Sequence, residues 1–364
     1  MRADSGFDYG PPQPECGCIE LPEQQVQQTQ TSDQKPRSSW LPSALIVTWP
    51  ALTTKSSRFA LAPVPCRFHL AGSPFTRPFG HRTLEQAIRE FEALASQTYE
   101  GHPVVAALGM SGSVGHGSIR LEELWREDFS RVISNGFDSL YLCGSDGRVF
   151  NVGYLPNRPS VQFAPHRLGS IADWCRGQPV AIVLNRNSEV LIFKEQKLQF
   201  AKRRGAWRYY AHDSVVKRLG VGNTSLRRAV YESCLDVSFA RTGGCVAVLN
   251  QTGRAKVSKM INDKDLIERG EQTRTKLLGQ VVKKTFQNLD RRLRQELLSM
   301  DGATVLTRKG KVLTAGSIVR VPGGSTGGGR RAAAMQLSTL GLAIKISADG
   351  PITGFKKKEI IFSL

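Results

Sequence analysis

The stretch Leu226-Arg227-Arg228-Ala229-Val230-Tyr231-Glu232-Ser233-Cys234-Leu235-Asp236-Val237-Ser238-Phe239-Ala240-Arg241-Thr242-Gly243-Gly244-Cys245-Val246-Ala247-Val248-Leu249 holds both kinds of element from which the fold is built. Leu226, Ala229, Val230, Cys234 and Val237 fall near one face at helical spacing, which predicts a helix over 226–240. Gly243-Gly244 ends it, because glycine adopts helix-stopping backbone conformations without a Cβ clash. Residues 245–249 form a short continuous apolar run, the pattern of a buried strand.

Downstream the two kinds of element alternate. Residues 250–288 are charged and less decided, with a helix expected over about 276–286. Leu289, Leu293 and Leu297 mark another helix, and 304–306 with 312–319 make a hairpin around Arg308-Lys309-Gly310-Lys311. A glycine-rich loop leads into a helix over 332–337, followed by a strand at 341–347, a turn at Asp349-Gly350 and a last strand at 351–355. This alternation predicts an α/β domain, a mixed sheet flanked by helices, over 221–364.

Upstream, 79–220 reads as a smaller α/β domain. Leu84, Ala87, Ile88, Phe91, Leu94 and Ala95 give one apolar helical stripe, and Leu121, Leu124, Trp125, Phe129, Val132 and Ile133 give a second. Two hairpins follow, 139–143 with 149–154 and 180–184 with 190–193, then a strand over 197–201. Residues 1–78 hold 11 of the 18 prolines and a glutamine tract, so this segment is expected to be a disordered tail.

The net charge of +19 is distributed unevenly. Residues 1–78 carry 7 basic and 6 acidic side chains, 79–220 carry 18 and 14, and 221–364 carry 25 and 11. The excess thus belongs to the last segment, and it admits nucleic acid, an anionic membrane or phosphorylated small molecules as partners. No run of about 18 apolar residues is present, so no membrane span is expected. The seven cysteines are scattered and do not form a disulfide framework, which favours a reducing cytoplasm.

Two motifs in the last segment carry chemistry. In Gly323-Gly324-Ser325-Thr326-Gly327-Gly328-Gly329-Arg330-Arg331-Ala332-Ala333-Ala334, glycines let backbone N–H groups approach an anion. The following helix turns its free N–H groups toward the loop, Ser325 and Thr326 add hydroxyls, and Arg330 and Arg331 add guanidinium donors. The same glycines also suit a flexible linker before a basic helix. In Asp301-Gly302-Ala303, a carboxylate between a helix and a strand can hold a divalent cation, although Asp-Gly is also a common turn. A hairpin separates the motifs and returns the chain to one end of the sheet. Asp301 and the glycine loop can therefore share one crevice, one holding metal and the other phosphate. A third cluster, Lys202-Arg203-Arg204-Gly205-Ala206-Trp207-Arg208-Tyr209-Tyr210, interleaves cations and aromatics as a nucleic-acid surface would, or is a solvated turn with Trp207 and Tyr209 in the core.

With these residues in hand, 225–360 resembles the diadenylate cyclase domain, the nucleotide-binding domain of the DisA checkpoint proteins. The resemblance rests on 235–248, on Asp301-Gly302-Ala303 against the family's Asp-Gly-Ala, and on 328–334 against its Gly-Thr-Arg-His-Arg-Ala-Ala. It implies that two ATP molecules are condensed into cyclic di-AMP with release of pyrophosphate, between two domains meeting face to face in a homo-oligomer. It further implies Mg²⁺ or Mn²⁺ on Asp301, a catalytic role for Asp301, Gly302 and Arg330, and ATP contacts from Ala303, Ser325, Thr326, Gly327, Gly328, Gly329, Arg330 and Arg331. The arrangement also resembles family members with a sensor or regulatory module preceding the cyclase domain, here 79–220. The chain departs from the family motif in having Gly329 for Thr, Arg331 for His and Ala332 for the second Arg, and an alternative register puts Arg331 on that second Arg, leaving Gly329 for the first Arg and Arg330 for His. These departures keep a second function in view, an inactive receptor for ATP or cyclic di-AMP. A third is a basic nucleic-acid binder.

Overall fold

The computed structural model describes residues 81–114, 116–156, 161–322 and 328–364, all within one compact unit. The expected tail 1–78 lies outside the described residues.

The first half contains α1 (His81–Leu94), a ribbon of β1 (Thr98–Tyr99) and β2 (His102–Pro103), β3 (Ala106–Met110), β4 (Ile119–Arg120), α2 (Leu121–Leu124), α3 (Ser130–Ile133), β5 (Ser139–Cys143), β6 (Arg148–Tyr154), α4 (Gly169–Trp174), β7 (Val180–Leu184), β8 (Val190–Lys194), β9 (Lys197–Arg203), β10 (Ala206–Tyr209) and α5 (His212–Leu219). The second half contains α6 (Thr224–Ala240), β11 (Gly244–Leu249), α7 (Gln251–Lys256), α8 (Thr273–Val281), α9 (Arg291–Ser299), β12 (Ala303–Leu306), β13 (Val312–Ser317), α10 (Gly329–Leu337), β14 (Gly341–Ile346), β15 (Ile352–Lys356) and β16 (Glu359–Ser363). The fold is mixed α/β, with sheet orders β10-β9-β8-β7-β3-β5-β6-β4 and β13-β12-β11-β14-β15-β16. The first half carries an eight-stranded sheet and the second a six-stranded one.

Local chemistry accounts for the central elements. The Asn223 side chain caps α6 by accepting the Leu226 N–H at 2.8 Å. Arg241 and Gly243, both at positive φ, turn the chain into β11. Every residue of β11 is buried because helices cover both faces. Val246 and Val248 join the core beneath α6, while Cys245, Ala247 and Leu249 pack with Ala334 and Leu337 of α10.

The two halves repeat one topology. In each, a helix (α1, α6) precedes a strand (β3, β11) that pairs in parallel with the first strand of a hairpin (β5–β6, β12–β13). A second helix (α4, α10) precedes an antiparallel meander (β7–β8–β9, β14–β15–β16) on the other side. The registers agree. Leu108 pairs with Tyr141 as Val246 pairs with Thr304, and Ala181 with Phe193 as Ala343 with Phe355. Irregular pairings recur at Leu142/Cys143 and Val305/Leu306, then at Ile192/Phe193 and Gly354/Phe355, and the second copy adds one at Ala303/Val305. Asp138 and Gly147 thereby stand where Asp301 and Gly310 stand in the second copy, while Gly153 lies opposite Leu140 as Ser317 lies opposite Ala303.

Several expectations are corrected. The stripe from Leu121 to Ile133 forms two short helices, and Phe129 and Val132 are exposed. Helix α8 starts at Thr273 and stops at Val281, before the expected end at 286. Trp207 is buried, Tyr209 is exposed, and three of the four cations around them are spent on carboxylates: Lys202 on Glu92, Arg203 on Glu189 and Arg204 on Asp349. That hairpin is not a free basic platform.

Candidate functional site

Because β11 and β12 are parallel, the chain enters both from the same edge of the sheet. Asp301 and Gly302 lie at the entry to β12, and Gly243 lies at the entry to β11. The antiparallel neighbours β13 and β14 end on this edge, bringing Gly316 and Ala348 to it. Helix α10 also begins here.

Each position is fixed by close backbone packing. Gly302 has φ +105°, and a Cβ there would lie 2.5 Å from the Gly316 carbonyl carbon. Glycine thus lets the start of β12 press against the end of β13, leaving Asp301 exposed at the rim. Gly316 has φ +64°, and its carbonyl accepts Arg274 Nη2 at 2.8 Å, as Ala315 O does at 3.0 Å. Arg274, from α8, is a cation at this edge that sequence reasoning missed. Its signal was weak, one arginine in a charged stretch 27 residues before Asp301.

Helix α10 begins three residues earlier than its sequence pattern implied, so Gly329, Arg330 and Arg331 form its first turn and not the loop before it. Gly328 caps it at φ +86°, and its carbonyl accepts the Arg331 and Ala332 N–H groups at 3.1 and 3.2 Å. The N–H groups of Gly329 and Arg330 precede the first full helical bond, at the positive end of the helix dipole. Among the described residues nothing crowds Gly328 or Gly329: a Cβ on either would have no such neighbour within 4 Å. Arg330 is half-buried, and a Cβ on Gly243 would come within 2.6 Å of its Nη1. Its guanidinium therefore sits over the α6–β11 turn, beside the chain leaving β14. Burial pushes the Cys245 thiol up to about 12, with the Arg330 charge acting against that rise.

Of the residues proposed from sequence, Asp301, Gly302, Gly328, Gly329 and Arg330 meet at this one edge. Arg331 is exposed on the first turn of α10. Ala303 is fully buried, so its side chain belongs to the core and only its backbone can face a ligand. Ser325, Thr326 and Gly327 lie outside the described residues. Asp301 is a single carboxylate, and among the described residues no group of three His, Cys, Asp or Glu is placed to hold a metal ion. A Mg²⁺ or Mn²⁺ ion fits this donor set only with substrate phosphates and water as its remaining ligands, the usual arrangement for these ions on nucleotides.

The corresponding segment of the first copy is closed. Asp236 of α6 accepts the His166 N–H at 2.8 Å, and Arg291 of α9 pairs with Asp236 at 2.7 and 2.8 Å. Arg291 also donates to Val161 O at 2.7 Å and Ala164 O at 2.5 Å. The approach to α4 is thus filled by side chains of the second copy.

No protein-family model matches the chain, and no curated protein matches it. Among solved structures, the chain is similar to a double-cysteine variant of DacA from Staphylococcus aureus, at 15% identity and TM-score 0.26, over 41% of this chain and 87% of that one. It is also similar to a hypothetical membrane-spanning protein from Bacillus cereus, at 17% identity and TM-score 0.26, over 36% of this chain and 59% of that one. Among the described residues no helix is long and apolar enough to cross a membrane.

Proposed function

We propose that the second copy, 221–364, binds ATP and acts as a diadenylate cyclase, and that the first copy, 79–220, regulates it. The observation that carries this reading is the meeting of Asp301, Arg330 and the open start of α10 on one edge of the sheet. The N–H groups of Gly329 and Arg330 would take phosphate oxygens, and the Arg330 guanidinium would neutralise charge on the α-phosphate. Asp301 would hold Mg²⁺ or Mn²⁺, which supplies charge neutralisation and lowers the pKa of the attacking hydroxyl. The 3′-oxygen of one ATP forms a bond to the α-phosphorus of the other as the bond to the β-phosphate oxygen breaks, and repetition closes the ring. Each edge holds one ATP, so two chains would face each other. Incubation with ATP and either metal, followed by separation of products, tests the reading. Cyclic di-AMP is expected, and its absence with both metals while ATP still binds removes the catalytic claim.

A second reading, a receptor that binds ATP or cyclic di-AMP without turnover, is favoured by the side chains of the first turn. Gly329 offers no hydroxyl, and exposed Arg331 stands where the family motif has a histidine. Calorimetry showing dinucleotide binding together with absent turnover selects it.

A further inference from the structure

The opposite edge of the second sheet collects cations that the site above does not use. The β12–β13 turn carries Arg308 and Lys309, and the β15–β16 turn carries Lys356, Lys357 and Lys358, all exposed. The C-terminal turn of α5 adds Lys217 and Arg218, tied to the same edge by Arg218 Nη1 donating to Ile361 O at 3.2 Å. Arg308, Lys356 and Lys357 line a common cleft of about 290 Å³ together with Asn250, Ser338 and Thr339, and no carboxylate lines it. Among the described residues none of these seven cations forms an ion pair with a carboxylate. Neighbouring Lys311, by contrast, is held by Glu268 at 2.6 Å.

The duplicated topology supplies an internal control. The equivalents of the two turns in the first copy are Ser145-Asp146-Gly147-Arg148 and Lys194-Glu195-Gln196-Lys197. Their backbones match, with Gly147 and Gly310 at φ +78° and +86°, Glu195 and Gln196 at +51° and +60°, and Lys357 and Lys358 at +51° and +67°. The first copy places three cations and two carboxylates in these turns, and the second places six cations and one carboxylate. The fold therefore does not require the basic side chains. They make an unpaired positive surface, which costs self-repulsion unless an anion covers it.

We propose that this edge binds the sugar–phosphate backbone of a nucleic acid without reading its sequence. Arg308, Lys356 and Lys357, from two turns, converge on one cleft, and Lys217 and Arg218 of α5 lie on the same edge, a composition suited to phosphate oxygens. No aromatic side chain lines the cleft, so base stacking contributes nothing there. Nor does a large exposed apolar side chain line it, and a membrane surface would have nothing to insert.

The test is fluorescence anisotropy of the full chain with a mixed-sequence 20-nucleotide RNA strand and a 20-base-pair DNA duplex, from 50 to 200 mM salt. The variant carries Arg308→Ser, Lys309→Asp, Lys357→Glu and Lys358→Gln, substitutions that give these turns the residues already occupying them in the first copy. Circular dichroism checks that it is folded. The wild type is expected to bind at least one probe with affinity that falls steeply with salt. The variant should bind at least about tenfold more weakly at 100 mM salt, with a log–log salt slope shallower by roughly 4, about one for each cation removed. Absent binding at 50 mM salt, salt-independent binding, or undiminished binding by the folded variant overturns the proposal. So does binding to vesicles with 30% anionic lipid when neither nucleic acid binds. ATP binding by the variant is read separately, so the outcome is independent of the nucleotide site.

Discussion

Asp236 and Arg291 form a two-pronged ion pair, at 2.7 and 2.8 Å, with relative side-chain exposures of only 0% and 5%. Its remaining donors and acceptors are satisfied by the backbone of 161–166, so the pair ties the second copy to the first. Removing one partner leaves a buried charge uncompensated. Arg291→Ala should cost about 3–5 kcal/mol in a urea melt, whereas Asp236→Leu combined with Arg291→Met should cost clearly less. Equal losses in the two variants would mean that packing, not charge, holds the contact.

A buried histidine makes stability depend on pH. His212 stacks on Phe163 with ring centroids 4.8 Å apart, accepts the Tyr231 hydroxyl at Nδ1 and donates from Nε2 to Leu198 O. Burial lowers its pKa from 6.5 to about 4. Below 6.5 the unfolded chain binds a proton that the folded chain refuses, so stability is complete above that pH and falls as pH drops toward 4. The loss is about 3 kcal/mol at most. Melts from pH 7.5 to 4.5 should show this slope, and His212→Gln should flatten it.

Gly243 combines φ +69° with close contact to Arg330. Gly243→Ala should cost about 1–2 kcal/mol through backbone strain and displace the guanidinium. ATP affinity, measured by calorimetry, should fall more in this variant than in Gly329→Ala, since Gly329 has open space around it.

Asp301 is exposed, so Asp301→Asn should leave the melting temperature unchanged while abolishing cyclic di-AMP formation. Arg330→Ala should weaken ATP binding by about 10–100-fold, and Arg331→Ala by less than about fivefold. A stoichiometry of one ATP per chain is expected in the wild type, because Asp236 and Arg291 fill the corresponding approach in the first copy.

The elements legible in the sequence were those whose side chains alternate or recur without interruption. The helix over 226–240, the strand after Gly243-Gly244 and both early hairpins are present close to their expected limits. The α9 stripe was read through leucines, yet Arg291 and Arg294 take buried places beside Leu297 and Leu298, because Asp236 and Glu232 lie opposite. The start of α10 was missed because Gly-Arg-Arg has little helical pattern of its own. The duplication was missed for a similar reason. Its copies share register, most irregular pairings and turn conformations, but few identities beyond Asp138/Asp301, Gly147/Gly310, Val149/Val312, Ala181/Ala343, Ile182/Ile344, Phe193/Phe355 and Lys194/Lys356. Backbone geometry is preserved by hydrogen bonding and glycine placement, and those constraints leave most side chains free.

The copies do not meet through equivalent surfaces. Tyr231, Asp236 and Ser238 of α6 contact Phe163, His166 and Arg203 of the first copy, while α1, which corresponds to α6, packs on its own sheet. The chain consequently has no internal two-fold, and its halves carry unequal burdens. In a scan of all single substitutions, intolerance in the first copy should concentrate in its core and along 161–166. In the second copy it should extend to solvent-facing positions at both edges of the sheet.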